Sequence, residues 1–325
     1  MATDVRTRVL VTGSLGQIGS ELSLGLRERY GAENVVATDL RADEKGKLSS
    51  SGPFERLDVL NQGELDAVID KYGITVVYHL AALLSKVAED DPSQAWRINM
   101  GGLFNVLEAA RLNSCSVFFP SSIGVFGPGT PQDGTPQDTV QRPRFMYGVT
   151  KVAGELLCDY YHKKFGVDAR GVRYPGIISH ETLPGGGTTD YAVQIFYDAI
   201  KMKQYTCFLK PDTSLDMMYM PDAIKAAVSL MEANPEKLSH RNAFNVTAMH
   251  FTPDELANEI KKHIPEFRID YKIDRVRQEI ANSWPHYMDD SVARAEWGWK
   301  PDYDIAGMTR DMIEVLSKKY RGGLI

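Results

Sequence analysis

Apolar residues in the first half of the chain fall into short runs separated by stretches of helical spacing. Runs rich in β-branched and aromatic residues at positions 8–12, 34–39, 54–58, 75–80, 116–120 and 169–174 read as buried strands. Between them, residues 17–30, 62–71, 92–112 and 147–165 carry the pattern of amphipathic helices. Strands alternating with helices of this length predict a parallel sheet covered on both faces. Six strands is the number that a doubly wound, Rossmann-type α/β sheet needs.

Beyond residue 175 the pattern loosens. A glycine-rich turn, Pro184-Gly185-Gly186-Gly187, precedes a helix over 188–202. Strands over 206–209, 216–219, 244–247 and 268–273 are interleaved with helices over 221–233, 253–263, 290–296 and 305–320. The expected organisation is a dinucleotide-binding domain over 1–178 and a smaller α/β substrate-binding lobe over 179–325, some of whose segments return to the first domain. The Pro/Gly-rich loop 127–144 is expected to be a mobile flank of an active site.

Composition removes several function classes. The net charge of −6 gives no basic footprint for nucleic acid. The longest apolar stretch, 74–84, is interrupted by His79 and is too short to span a bilayer. Three cysteines far apart fit a reducing compartment, and neither they nor the seven histidines show metal-ligand spacing, so no metal is expected. No apolar signal region precedes the first strand. The expectation is a soluble intracellular protein, in the cytoplasm or, for a processed form, the mitochondrial matrix.

The first strand runs straight into Gly13-Ser14-Leu15-Gly16-Gln17-Ile18-Gly19 and then a helix. Glycines at these spacings allow a tight turn, backbone approach to a pyrophosphate, and close helix–strand packing. The phosphates then meet a helix N-terminus, whose free N–H groups and dipole favour an anion. Asp39 ends the second strand, placed to accept hydrogen bonds from adenosine ribose hydroxyls and to repel a 2′-phosphate. NAD is therefore expected over NADP, with Arg41 two residues on as the feature that argues the other way.

Tyr147 and Lys151 stand four residues apart, on one face of a helix. A phenol near pKa 10 is a poor base at neutral pH; a lysine cation alongside is expected to lower that value. Tyr160 with Lys164 and Tyr197 with Lys201 share the spacing, so context must decide. Only Tyr147 has a strand ending in hydroxyls, Ser121-Ser122, placed upstream where the parallel topology returns it beside the helix start. Ser122 would hold the reacting oxygen.

Taken in order, GxxGxxG, Asp39, Asp58-Val59, Leu80-Ala81-Ala82, Asn99, Ser121-Ser122, YxxxK and Arg173-Tyr174-Pro175-Gly176 resemble the extended short-chain dehydrogenase/reductase family over nearly the whole chain. The resemblance implies Tyr147, Lys151 and Ser122 as the catalytic set. It places Asp58 and Val59 near the adenine, Ala81 and Ala82 along the pyrophosphate, and Pro175 to Ile178 at the nicotinamide end. Gln17, Ile18, Leu40, Leu80, Ser121 and Tyr174 border the cofactor by the same resemblance, and Asn99 supports the Tyr–Lys pair. It also implies a homodimer through the helices 92–112 and 147–165, with Leu103, Leu107, Val152, Leu156 and Leu157 as apolar residues beyond one core face.

Dehydratases of this family carry an acidic pair where Ile123 and Gly124 stand, which disfavours elimination chemistry. Segments 184–192, 283–285 and 289–294 resemble the branch that oxidises the side-chain hydroxyl of L-threonine to 2-amino-3-oxobutyrate, forming NADH. A glycine-rich turn opening a helix at Thr188 would offer Gly187, Thr188 and free N–H groups to an amino-acid carboxylate, with Ser85 and Trp284 closing the pocket. A nucleotide-sugar 4-epimerase and a non-catalytic NAD-sensing protein are the alternatives.

Overall fold

A computed structural model describes residues 7–44, 46–181 and 187–325. Pro184, Gly185 and Gly186 of the glycine-rich turn lie outside the described residues. In chain order, β1 (Val9–Thr12), α1 (Gln17–Tyr30), β2 (Val35–Asp39), α2 (Lys47–Ser51), β3 (Phe54–Arg56), α3 (Gln62–Tyr72), β4 (Val76–His79), α4 (Ser85–Asp90), α5 (Pro92–Asn113) and β5 (Ser116–Ser122) alternate as expected. They are followed by β6 (Asp133–Thr135), α6 (Met146–Phe165), β7 (Ala169–Tyr174), β8 (Gly176–Ile178), α7 (Tyr191–Met202), β9 (Gln204–Cys207), β10 (Leu215–Tyr219), α8 (Met220–Glu232), β11 (Phe244–Asn245), β12 (Met249–Phe251), α9 (Pro253–Lys261), β13 (Arg268–Tyr271), α10 (Arg275–Ala281) and β14 (Tyr287–Met288). The chain closes with α11 (Ser291–Trp297) and α12 (Ile305–Arg321).

The main sheet has seven strands in the order β11-β7-β5-β4-β1-β2-β3. β1 pairs in parallel with β2 on one side and β4 on the other, so the strand order reverses at β1. In open α/β sheets a ligand binds outside the carboxyl ends of the strands at such a switch point. Six strands were legible from residue pattern; the seventh, β11, joins this sheet from within the region assigned to the second lobe. Leu10, Val36, Val77, Leu103, Val117 and Phe119 form the core under α5 and α6.

The chain divides into two compact units. One comprises 1–122, 144–173 and 224–244; the other comprises 123–143, 174–223 and 245–325. The second is built on the sheet β12-β10-β8 and the pairs β13-β9 and β14-β6, with Tyr191, Phe196, Met217, Phe251, Leu256 and Met312 in its core. The loop 127–144 is not the free flank expected of it. Thr130 Oγ1 donates to the Val140 carbonyl at 2.7 Å, β6 pairs with β14, and buried Gln137 accepts the Asn245 N–H at 2.8 Å.

The apolar surplus on α5 and α6 also differs from expectation. Leu103 and Leu107 are fully buried core residues, and Val152 and Leu157 are half-buried; only Leu156 is exposed. The exposed apolar residues are instead Trp96, Phe104 and Leu112 on α5 and Val149, Leu156, Tyr160 and Phe165 on α6. Among the described residues, no helix is long and apolar enough to cross a membrane.

Candidate active site

The turn after β1 is shaped by what it must pass. Gly13 sits at φ +67°, and a Cβ there would lie 2.6 Å from the Ala81 nitrogen at the end of β4. The turn therefore runs in contact with Leu80-Ala81. A Cβ on Gly19 would meet the Gly13 carbonyl oxygen at 2.3 Å, so α1 can start this close to β1 only with glycine there. Gly16 caps α1 without a side-chain hydrogen bond, and the first turn, which includes Gln17 and Ile18, holds no acidic residue. A fourteen-residue helix with its leading N–H groups uncapped suits a pyrophosphate. Ser14 Oγ beside it is buried without a hydrogen-bond partner, a polar atom left for a ligand. The residues present fit NAD.

Asp39 is nearly buried at the end of β2. Its Oδ2 accepts the Leu15 N–H at 3.0 Å and its Oδ1 accepts Arg41 Nε at 3.0 Å. The carboxylate thus fixes the glycine turn and engages the cation that could have favoured a 2′-phosphate. Asp39→Ala is expected to weaken NAD about tenfold to a hundredfold, the scale of a charged hydrogen bond, and to release Arg41 toward NADP. Comparing kcat/KM for the two cofactors checks this; a variant that keeps a strong NAD preference would mean another residue sets the choice. Leu40 is exposed next to Asp39, as a residue bordering an adenine would be. Asp58 Oδ1 accepts the Leu60 N–H at 2.9 Å, which shapes the turn after β3, and the Val59 carbonyl accepts Asn105 Nδ2 at 2.9 Å. Thr12 Oγ1 and buried His79 Nδ1, 2.9 Å apart, tie β1 to β4; burial pushes the His79 imidazole down to about 3, so it is neutral.

At the end of β5 the expected catalytic set comes together. The Ser122 hydroxyl hydrogen-bonds the Tyr147 phenol, and Lys151 Nζ donates to the Pro120 carbonyl at 2.6 Å. The Lys151 nitrogen lies 5.5 Å from the Tyr147 ring centre and 4.6 Å from that of Phe119. The expected lowering of the phenol by lysine is corrected here. Burial dominates and pushes Tyr147 up to about 12, with the Ser122 hydrogen bond pulling the other way. Burial pushes the Lys151 ammonium down to about 8. Tyr160, by contrast, is exposed on the surface, and Tyr197 packs in the core of the second unit.

Asn99 supports this set directly. Its Oδ1 accepts the Leu83 N–H at 2.8 Å, and its Nδ2 donates to Leu83 O and Thr150 Oγ1, each at 3.1 Å. Thr150 Oγ1 in turn donates to the Tyr147 carbonyl at 2.8 Å. The segment after β4, which leads through Ala82 into Ser85 at the start of α4, is thereby fastened to the first turn of α6. Glu89 of α4 adds a second fastening by accepting the Met146 N–H. Thr150 and Glu89 escaped the sequence reading: a threonine inside YxxxK and a glutamate in a short helix carry no periodic signal.

Other expected site residues belong to the second unit. The Tyr174 phenol donates to the Ala223 carbonyl at 2.6 Å and Ile178 is fully buried, so beside Pro175 these positions have backbone to offer a ligand. Residues Thr188–Asp190 form a short 3-10 turn before α7, not the first turn of one long helix. Asp190 Oδ2 accepts the Gly187 N–H at 2.6 Å, so an internal carboxylate already caps this start. Of the expected N–H groups, that of Gly187 is thus already engaged within the chain. Thr189 packs on Gly176, where a Cβ would lie 2.7 Å from its methyl; Thr188 is buried and Trp284 is half-buried against the core.

The switch-point sheet, the glycine cradle and the Ser–Tyr–Lys set define a nucleotide-dependent oxidoreductase class. The chain belongs to the NAD dependent epimerase/dehydratase family, whose description matches residues 9–247. It is 53% identical over 96% of its length, and 98% of the relative's, to an uncharacterized epimerase/dehydratase of Staphylococcus haemolyticus. Among solved structures it is similar to L-threonine dehydrogenase from Clostridium difficile, at 55% identity and a TM-score of 0.95, covering 97% of this chain and 98% of that one. The holo form of a GalE-like L-threonine dehydrogenase from Cupriavidus necator is 51% identical with a TM-score of 0.92, covering 95% and 99% of the two chains. A monomeric L-threonine 3-dehydrogenase from a metagenome is 44% identical with a TM-score of 0.91, covering 95% and 99%.

Proposed function

We propose that this chain is an NAD-dependent L-threonine 3-dehydrogenase, oxidising the side-chain hydroxyl of L-threonine to 2-amino-3-oxobutyrate. The observation that carries the reading is the match to threonine dehydrogenases at about half identity over nearly the full length of both chains, with the Ser122–Tyr147–Lys151 set in place.

The chemistry follows from the residues. NAD, held by the glycine turn and Asp39, supplies the hydride acceptor and, when oxidised, a positive charge. Ser122 and Tyr147 hold the substrate hydroxyl between a donor and a base. As the C3–H bond breaks with its electron pair leaving as hydride, the hydroxyl proton passes to the Tyr147 oxygen and the carbon–oxygen bond becomes a carbonyl. Lys151 stabilises the phenolate that accepts this proton, offsetting part of the cost of burying it. A nucleotide-sugar 4-epimerase would use the same three groups, so substrate turnover separates the readings. NADH should accumulate with L-threonine and not with UDP-galactose; L-serine should be poorer by about ten- to two-hundredfold if the methyl group is read by an apolar pocket. Absence of NADH from L-threonine would defeat the assignment.

The unit that holds β1 to β5 is read as the cofactor domain. The second unit is read as contributing substrate contacts, with Thr188 and Trp284 as the residues to mutate first. A homodimer is part of the same reading, because the exposed apolar residues of α5 and α6 include four aromatic rings and two leucines beyond the core. Light scattering at micromolar concentration should give twice the 36.3 kDa chain mass. A particle of single-chain mass would contradict this and group the protein with its monomeric relative.

A further inference from the structure

Tyr147, Lys151 and Glu155 follow one another at intervals of four along α6, so one helical face carries all three. Three successive residues of β5 meet them. The Ser122 hydroxyl bonds Tyr147, the Pro120 carbonyl takes Lys151, and the Ser121 hydroxyl donates to Glu155. Glu155 and Arg173 of β7 are both more than nine-tenths buried. Arg173 grips the carboxylate with two bonds, Nε to Oε1 at 3.0 Å and Nη2 to Oε2 at 2.9 Å. Such a planar, bidentate pair fixes direction as well as distance.

We propose that Glu155 is a positioning residue of the acid–base pair: pinned by Arg173 and Ser121 one turn beyond Lys151, its carboxylate sets where the Lys151 ammonium sits behind Tyr147 and helps it keep its charge. A buried ion pair is a poor source of stability by itself, since desolvation consumes most of the attraction. Its placement here has another consequence. A cation as buried as Lys151 tends to lose its proton, and a neutral amine could not stabilise a phenolate. Glu155 opposes that loss, and it does so from a fixed position because Arg173 and Ser121 hold it.

The groups that face Lys151 can be named element by element. On α6 they are Tyr147, Glu155 and Cys158, whose thiol burial pushes up and keeps neutral. On β4 there is His79, neutral for the same reason; β5 presents the Pro120 carbonyl and the Phe119 ring, and β7 presents Arg173 through Glu155. Glu155 is the carboxylate in this set.

The inference takes from the dehydrogenase reading what the pair does, but its test does not depend on that reading. In protein carrying isotope-labelled lysine, the pH titration of the Lys151 side-chain resonance should have its midpoint near 8. Glu155→Gln, with Arg173 left as an uncompensated cation, should lower that midpoint by about one pH unit, and Glu155→Asp should restore most of the shift. The Gln variant should also lose kcat, with the KM values for NAD and L-threonine little changed. Glu108→Gln, which removes a carboxylate of α5 bonded to the Tyr161 phenol, should leave the midpoint in place. If the Gln variant does not fold, the uncharged pair Glu155→Gln with Arg173→Met carries the same readout. An unmoved midpoint in a folded variant, or a lowered midpoint with wild-type kcat, would overturn the proposal. If the wild type fails to oxidise L-threonine, the functional reading falls and the midpoint alone decides this one.

Discussion

Replacing Tyr147 with phenylalanine lowers kcat about a hundredfold to ten-thousandfold while NAD still binds with near-normal affinity. The change removes one oxygen from a half-buried side chain and leaves its ring, so only the proton acceptor is lost. The phenol stands above its ordinary value, pushed up to about 12 by burial. Below that pH most of it is protonated, so wild-type oxidation should accelerate as the pH rises toward about 8, where Lys151 begins to lose the charge that stabilises the phenolate, and this acceleration should vanish in the variant. Tyr160→Phe and Tyr197→Phe supply the comparison, because both share the spacing to a lysine but neither is bonded to the β5 hydroxyls. Stopped-flow turnover alongside cofactor titration reads all three. Near-wild-type turnover in Tyr147→Phe would remove the base from the mechanism.

The second large effect is expected at Gly13. Alanine there must adopt φ +67° and place a methyl group 2.6 Å from the Ala81 nitrogen and 2.7 Å from the Ala81 Cα. Neither backbone can yield cheaply, since Leu80 N–H is bonded to the Thr12 carbonyl at 3.1 Å, across the same pair of strands. Left-handed backbone costs about 1–2 kcal/mol for a non-glycine residue, and overpacking adds about 1–3 kcal/mol. The turn is expected to move off β4 and carry the Leu15 N–H away from Asp39, weakening NAD more than about a hundredfold. Calorimetric titration with NAD and a thermal melt check both halves. Wild-type cofactor affinity in Gly13→Ala would mean that the cradle does not bind as described.

The doubly wound half was legible because its signals are local and strong. Strands such as β1 and β4 are buried on both faces and read as unbroken apolar runs, and the glycines at 13, 16 and 19 punctuate a strand–helix joint with only a few chemical explanations. The short strands β6, β8, β12 and β14 have two or three residues each, too few for an alternation to register. The helical pattern over 188–202 begins with a 3-10 turn whose Asp190 carboxylate accepts the Gly187 N–H, a detail that periodicity does not register. The surface of α5 and α6 was misjudged for a different reason. Both helices are apolar over much of their circumference, and only the packing tells that Leu103 faces the core while Phe104 faces outward. Glu155 stood in plain view one turn past Lys151, but its partners Ser121 and Arg173 come from two other strands, and contact across that distance in sequence leaves no local trace.

The central claim is that hydride leaves C3 of L-threonine. L-Threonine carrying deuterium at C3, turned over with NAD by the purified protein, tests it in one measurement by mass spectrometry of the reduced cofactor. The account predicts that the deuterium appears in the NADH formed, in step with 2-amino-3-oxobutyrate. Unlabelled NADH, or no NADH at all, would contradict it.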